Sequence, residues 1–116
     1  MSSLNYEIIR DAIQSCQQVT GYYDGHYREF CPYRLGQDDG GEYRVFAYQF
    51  GGYTSAGPIV RDGSRANWRC FRLTGLSGLQ SRAGKWYGTL HLSSSRRSQC
   101  VTHIEHESAC PKGPSR

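Results

Sequence analysis

The chain has 116 residues, of which 37% are hydrophobic and 13% aromatic, with 14 glycines and a formal net charge of +4. This length suits one domain that can bury a core without disulfides or metals, and the composition favours short strands and turns over a helical bundle. No apolar stretch approaches the roughly 18 residues of a membrane span, and the first residues lack the pattern of a signal peptide, so we expect a soluble, cytoplasmic protein.

Positive charge is concentrated in one segment of the chain. Residues 1 to 60 carry four Arg against seven Asp or Glu, whereas residues 61 to 97 carry eight Lys or Arg against Asp62 alone. Such a basic segment favours an anionic partner such as nucleic acid, a nucleotide or phosphate, although a merely solvated surface is the simpler alternative.

The five cysteines are an odd number and include no C-x-x-C pair. This pattern argues against both a disulfide framework and a zinc knuckle, so we expect reduced cysteines that pack as small apolar side chains. They are Cys16, Cys31, Cys70, Cys100 and Cys110.

Residues 4 to 16 predict the first element, an amphipathic helix. Their apolar side chains recur at helical spacing, and Glu7 and Asp11 suit the positive N-terminal end. Because one such helix cannot fold alone, its apolar stripe should cover a face or an open end of a sheet.

A hairpin is predicted next, with Asp24-Gly25 between two tyrosine-rich runs at about 18 to 23 and 27 to 35. Pro32 cannot donate a hydrogen bond to a ladder, so the second strand should lie at an edge or bend there.

The stretch "YRVFAYQFGG", residues 43 to 52, predicts the third strand. Alternation places Val45, Ala47 and Gln49 on one face and Phe46, Tyr48 and Phe50 on the other. From Gly51 to Ala66 the composition of Gly, Ser, Pro and charge predicts a mobile surface loop.

Two further strands, "NWRCFRL" and "TGLSGLQS", complete the predicted sheet. One helix followed by five short strands suggests a small barrel of the SH3 or Sm kind, since closure removes exposed strand edges. We therefore expect a single mainly β domain over residues 1–107, with the helix at 4–16, a five-stranded barrel at 18–82, an extended C-terminal arm at 84–107 and a flexible tail at 108–116.

Little in the sequence favours catalysis. No Gly-rich stretch precedes a helical pattern, which excludes a P-loop, and His103 and His106 fall on opposite faces of an extended strand, which argues against a metal site. A small ribonuclease that uses His26, His91 and Glu29 is the enzymatic alternative. We expect neither an enzyme nor a bound cofactor.

A binding role is favoured by arginines that alternate with aromatic residues in the predicted strands. Cations beside stacking planes suit single-stranded nucleic acid or a nucleotide. Phe46, Phe50, Phe71 and Leu73 are expected to fill the core instead. Candidate ligand contacts are Arg28, Tyr33, Tyr48, Gln49, Ser55 in the Gly-rich loop, Arg69 and Arg72.

The runs "AIQSCQQVTGYYDGHYREFCPYRLG", "YRVFAYQFGG" and "WRCFRLTGLSGL" together resemble the WYL domain, especially short stand-alone bacterial members. The resemblance spans residues 8 to about 80, and "KWYGTLHL" with "QC" looks like the tail of those proteins. It implies an Sm-like barrel and a ligand-sensing or nucleic-acid-binding module. Tyr23, Arg28, Tyr33 and Arg69 fall on the family's pattern, whereas its naming tripeptide is altered at residues 43–45.

Three functions thus stay open from the sequence. The first is a regulatory module that binds an anionic ligand, single-stranded DNA or RNA or a nucleotide, without a membrane partner. The second is a protein-interaction module that docks another polypeptide or a second copy of the chain, and the third is the ribonuclease. Because only some 17 residues precede the first strand, we do not expect this chain alone to be a sequence-specific repressor of the helix-turn-helix kind.

Overall fold

The computed structural model of the protein describes residues 3–59, 67–88 and 100–110. In these ranges one α-helix precedes seven strands, and a 3-10 turn at Leu73–Gly75 precedes the sixth. The expected mainly β fold with one N-terminal helix is confirmed. The elements are α1 (Ser3–Ser15), β1 (Gln18–Tyr23), β2 (His26–Gln37), β3 (Tyr43–Thr54), β4 (Gly57–Pro58), β5 (Trp68–Arg72), β6 (Leu76–Arg82) and β7 (His103–Glu107).

Helix α1 packs its apolar stripe on the sheet, as predicted. Ile9 and Ala12 are fully buried, and Ile13 is nearly so. Cys16 ends the helix in the left-handed region (φ 56°), and the Gln17 N–H donates to the Ala12 carbonyl at 2.9 Å. This is the usual way in which a helix satisfies its last carbonyls. No helix in the described ranges combines the length and apolarity that crossing a bilayer requires.

The predicted hairpin joins β1 to β2. Asp24 and Gly25 both have positive φ, 54° and 79°, as a two-residue turn of the primed type requires. Beyond the turn, Tyr23 pairs with His26 and Val19 with Phe30. This register sets which side chains of β2 share a face with β1.

The sheet differs from the expected closed, five-stranded barrel. Its strand order is β4-β3-β2-β1-β6, with β5 on β3 and β7 on β2, so among the described residues it is a curled, open antiparallel sheet. Strands β2 and β3 have 12 residues each, and this length allows each of them to pair with three other strands. The register of β2 against β3 shifts between Pro32 and Arg34, an irregularity at the position where an edge or a bend was predicted.

The predicted loop from Gly51 to Ala66 is in part a hairpin. Strand β3 continues to Thr54, and β4 returns along it with Tyr53 opposite Pro58 and Thr54 opposite Gly57. Backbone pairing needs no large apolar side chains, which is why composition missed these strands. Residues 60–66 of the predicted loop lie outside the described residues.

Two separate clusters of buried side chains cover the two faces of the sheet. We call the face that α1 covers the helix face; it carries Val45, Ala47 and Phe71. The opposite face carries Phe46, Tyr48, Trp68 and Trp86. The side chains that were expected to fill one core therefore lie on two faces. Phe71 and Leu73 are on the helix face, and Phe46 and Phe50 are on the opposite face.

The expectation of reduced cysteines is wrong for four of the five. Cys16 is bonded to Cys110 and Cys70 to Cys100, across 94 and 30 residues of sequence, while Cys31 is free and buried. The partners lie on segments that only the fold brings together, so their spacing along the chain carries no signal.

We call residues 100–110 the C-terminal strap, and the face that includes Phe46 and Tyr48 the strap face. Residues 108–110 of the predicted tail belong to this strap, and 111–116 lie outside the described residues.

Candidate functional site

The predicted ligand contacts divide between the two faces of the sheet. Arg28 and Gln49 lie on the helix face, and so does Arg69, because it pairs with the buried Ala47. Tyr33 and Tyr48 lie on the strap face. Ser55 is exposed in the turn between β3 and β4, and Arg72 is exposed at the end of β5. The structure therefore brings together Arg28 and Gln49, not the whole predicted set.

Arg28 is the central residue of the helix-face group. Only 5% of it is exposed. Its Nη1 donates to Gln49 Oε1 at 3.2 Å and its Nη2 to the Tyr23 carbonyl at 3.3 Å. Both acceptors are neutral, and among the described residues no carboxylate lies within salt-bridge distance of Arg28. The buried Nε has no hydrogen-bond partner in that part of the chain.

Two aromatic rings flank the same guanidinium. Its carbon lies 5.5 Å from the ring centroids of both Tyr23 and Phe71, within the range of cation–π attraction. The Tyr23 hydroxyl accepts from the Arg72 backbone N–H at 3.3 Å and from Arg72 Nε at 3.4 Å. Tyr23 thus connects the buried arginine to an exposed one.

Burial leaves the charge of Arg28 incompletely compensated. Loss of solvation lowers the pKa of the guanidinium from its ordinary value, and the nearby Asp24 carboxylate acts in the opposite direction. An arginine nevertheless keeps its proton in proteins. A buried cation with neutral partners is stabilised by any anion that reaches it, which makes Arg28 a candidate anion site.

Gln49 fixes the end of strand β3 beside Arg28. It is fully buried, and its Nε2 donates to the carbonyls of Gly51 (2.9 Å) and Tyr53 (3.1 Å). Gly52 lies between them with φ +86°, where a Cβ would meet the Tyr27 carbonyl and come within 3.0 Å of Arg28 Cα. The glycine pair is therefore needed for the close approach of β2 and β3 at the site.

Tyr33 and Tyr48 are packing residues of the strap face. They are 3% and 2% exposed, and both rings meet the Trp68 ring edge to face, at 4.9 and 5.1 Å. The Tyr33 hydroxyl donates to the Tyr87 carbonyl at 2.5 Å, and burial raises the pKa of that hydroxyl. The sequence had already placed Tyr48 on the same face as Phe46 by alternation, and the strand keeps that alternation.

The residues of the ribonuclease alternative are only partly described. Glu29 accepts from the Tyr27 hydroxyl at 2.9 Å and lies 3.5 Å from Arg82 Nη2, so its carboxylate is already paired. His26 lies at the start of β2, and His91 is outside the described residues. Within the described ranges, no group of three or more His, Cys, Asp or Glu is arranged to hold a metal ion.

Tyr23 is the residue of this site that composition and spacing did not single out. Its only signal was its place in the WYL pattern, because its role depends on the hairpin register and on contact with Phe71 at 4.8 Å between ring centroids. Comparison of the chain with family models, with curated proteins and with solved structures found no match.

Proposed function

We propose that this protein is a non-enzymatic, WYL-type regulatory module that binds an anionic ligand at Arg28. The observation that carries the proposal is the buried guanidinium, whose two acceptors are both neutral and whose buried Nε has no hydrogen-bond partner among the described residues. A phosphate oxygen is a suitable acceptor, since arginine forms short, charge-assisted hydrogen bonds to phosphate.

The surroundings of Arg28 favour a nucleotide-like ligand or single-stranded nucleic acid. Arg72, which donates to the hydroxyl of Tyr23, adds positive charge beside a ring that flanks Arg28, and Arg69 lies in the same strand β5. Tyr53, whose carbonyl is held by Gln49, keeps 52% of its surface exposed and offers a plane on which a base can stack. The WYL assignment rests on the sequence resemblance, in which Tyr23, Arg28, Tyr33 and Arg69 fall on the family's pattern.

The test is a binding panel measured by fluorescence anisotropy. Labelled single-stranded DNA, single-stranded RNA and cyclic nucleotides are titrated with the full chain at about 50 and about 200 mM salt. If several phosphates are contacted, affinity for the oligonucleotides should fall steeply between the two concentrations. A single nucleotide should show a much smaller change.

Variants assign the binding to the site. Arg28→Gln and Arg69→Ala should each weaken binding at least about tenfold, or about 1.4 kcal/mol. Arg10→Ala is the matched control, because it removes the same charge from α1 at a residue that pairs with its neighbour Asp11. Circular dichroism verifies that each variant is folded.

The proposal fails if no ligand of the panel binds, or if the two site variants bind as tightly as Arg10→Ala. Cleavage of the RNA that is lost in His26→Ala would instead support the ribonuclease.

A further inference from the structure

The two disulfides hold the two ends of the same strand. Cys100 precedes β7 by three residues and Cys110 follows it by three, and their partners are Cys70 in β5 and Cys16 at the end of α1. The C-terminal strap is therefore bonded at one end to the sheet and at the other to the helix.

The noncovalent contacts of the strap are mostly polar and near the surface. Along β7 the side chains are exposed except for a half-buried His106, and Ile104 keeps 45% of its surface exposed. The ion pair of Arg34 with Glu107 (2.6 Å) is partly exposed, and such pairs contribute only about 0–1 kcal/mol. Val101 is the one large apolar side chain that the described strap buries. Without its disulfides the strap would be held by the β2 ladder, by Val101 and by these polar contacts.

The strap covers a specific part of the sheet. Strand β7 pairs with the second half of β2, from Arg34 to Gln37, and the Ser108 N–H donates to the Tyr33 carbonyl at 2.8 Å. Val101 of the strap belongs to the aromatic cluster of the strap face, in which the rings of Phe46 and Trp68 are stacked with centroids 4.8 Å apart. Release of the strap would uncover an unpaired edge of β2 and the border of this cluster.

The helix-face cluster is built from side chains outside the strap. The buried cluster of the helix face contains none of the four bonded cysteines, and strands β1, β2 and β6 pair without the strap. Loss of the two bonds should therefore affect the strap face before the helix face.

We propose that the strap is a thiol-controlled switch, docked when both disulfides are formed and released when they are reduced. Each disulfide takes two electrons and two protons from a dithiol reductant and becomes two cysteine thiols, while the reductant becomes its own disulfide. Oxidation reverses the step and returns the strap to β2. This proposal does not rest on the anion site.

Cys31 does not compete in this exchange while the strap is docked. It is buried, and burial raises the pKa of its thiol to about 12. Because only a thiolate attacks a disulfide, this cysteine stays a thiol at neutral pH and the two native pairs are kept.

The experiment is hydrogen exchange with mass spectrometry on the full chain, with and without dithiothreitol, together with a count of alkylated thiols. On reduction, four additional cysteines should become alkylated, and exchange in peptides from β7 and from residues 34–37 should rise at least about tenfold. Peptides from β1 and β6 should stay protected. Oxidised glutathione, added after the reductant is removed, should restore the original pattern.

The matched variant replaces all four bonded cysteines with serine. Its strap should exchange rapidly with or without reductant, whereas Cys31→Ser should respond as the unaltered protein does. If the fourfold variant does not fold, Cys70→Ser with Cys100→Ser frees only the first end of the strap and should give an intermediate exchange rate. The switch is disproved if reduction leaves β7 protected, or if every strand loses protection together.

Discussion

The guanidinium of Arg28 donates to the side-chain oxygen of Gln49 across 3.2 Å, in the interior of the molecule and without a carboxylate between them. Gln49 in turn donates to two carbonyls at the end of β3. The neutral amide of Gln49 accepts a hydrogen bond from the guanidinium of Arg28 but does not neutralise its positive charge. The pair therefore positions the cation and leaves it able to attract an anion, and the first two predictions test this arrangement.

Gln49→Leu should destabilise the protein. The change removes one acceptor of a buried guanidinium and takes the donor from two partly buried carbonyls, which costs about 1–3 kcal/mol of unfolding free energy. Urea denaturation measures the loss. Gln80→Leu, on the exposed face of β6, is the control and should change stability by no more than about 0.5 kcal/mol. Equal effects of the two substitutions would contradict the buried network.

Gly52→Ala should strain the junction of β2 and β3. A residue with a Cβ is disfavoured at φ +86°, and that Cβ would collide with the Tyr27 carbonyl, so we expect a loss of about 1–3 kcal/mol. Gly40→Ala is the comparison, because φ is not positive there and the nearest atom, Asp38 Oδ1, lies at an ordinary 3.5 Å. Thermal unfolding of both variants measures the two losses of stability. A Gly52→Ala protein as stable as Gly40→Ala would mean that β2 and β3 approach less closely than described.

Tyr33→Phe should lower stability without affecting ligand binding. The substitution removes the hydroxyl that donates to the Tyr87 carbonyl, worth about 0.5–1.5 kcal/mol, on the face opposite Arg28. Tyr22→Phe, at a tyrosine that is 49% exposed, should be nearly neutral. A Tyr33→Phe protein with normal stability and weakened anion binding would move the site to the strap face.

The two disulfides should differ in their contribution to stability. Closure of a longer loop removes more entropy from the unfolded chain, so the 94-residue separation of Cys16–Cys110 should contribute about 1 kcal/mol more than the 30-residue separation of Cys70–Cys100. Denaturation of the two paired Cys→Ser variants tests this order. The reverse order would indicate that one end of the strap is strained or already loose.

Stability should decline at alkaline pH partly through Tyr6. Burial and the hydrogen bond that its hydroxyl donates to the Glu105 carboxylate raise the pKa of Tyr6 to about 12, above its unfolded value of about 10. The folded state thus holds this proton more tightly. The stabilisation of the folded state by the protonated Tyr6 hydroxyl is complete below about pH 10 and is lost as the pH rises towards about 12. Denaturation as a function of pH should show a shallower alkaline decline for Tyr6→Phe, and parallel curves would contradict the assignment.

The local sequence pattern was sufficient to predict those elements that depend on residues close together in the chain. Helical spacing predicted α1 to within one residue at each end, and the Asp24-Gly25 dipeptide predicted the first hairpin because two positive φ angles are nearly specific to such residues. Alternation correctly separated Gln49 from Tyr48, since adjacent side chains of a strand always point to opposite faces.

Tertiary structure alone decided what covers each of those faces. Alternation does not say that Trp86 and Tyr87, from a distant segment, contact Tyr33, or that α1 covers the face of Arg28 and Gln49. It gives no sign that Cys16 meets Cys110, because the two are joined by folding across nearly the whole sequence. The sequence by itself thus determined the helix, the first hairpin and the side-chain alternation, which depend on backbone preferences of neighbouring residues. Strand order, disulfide pairing and the buried arginine depend on contacts between distant segments, and only the folded chain determines those.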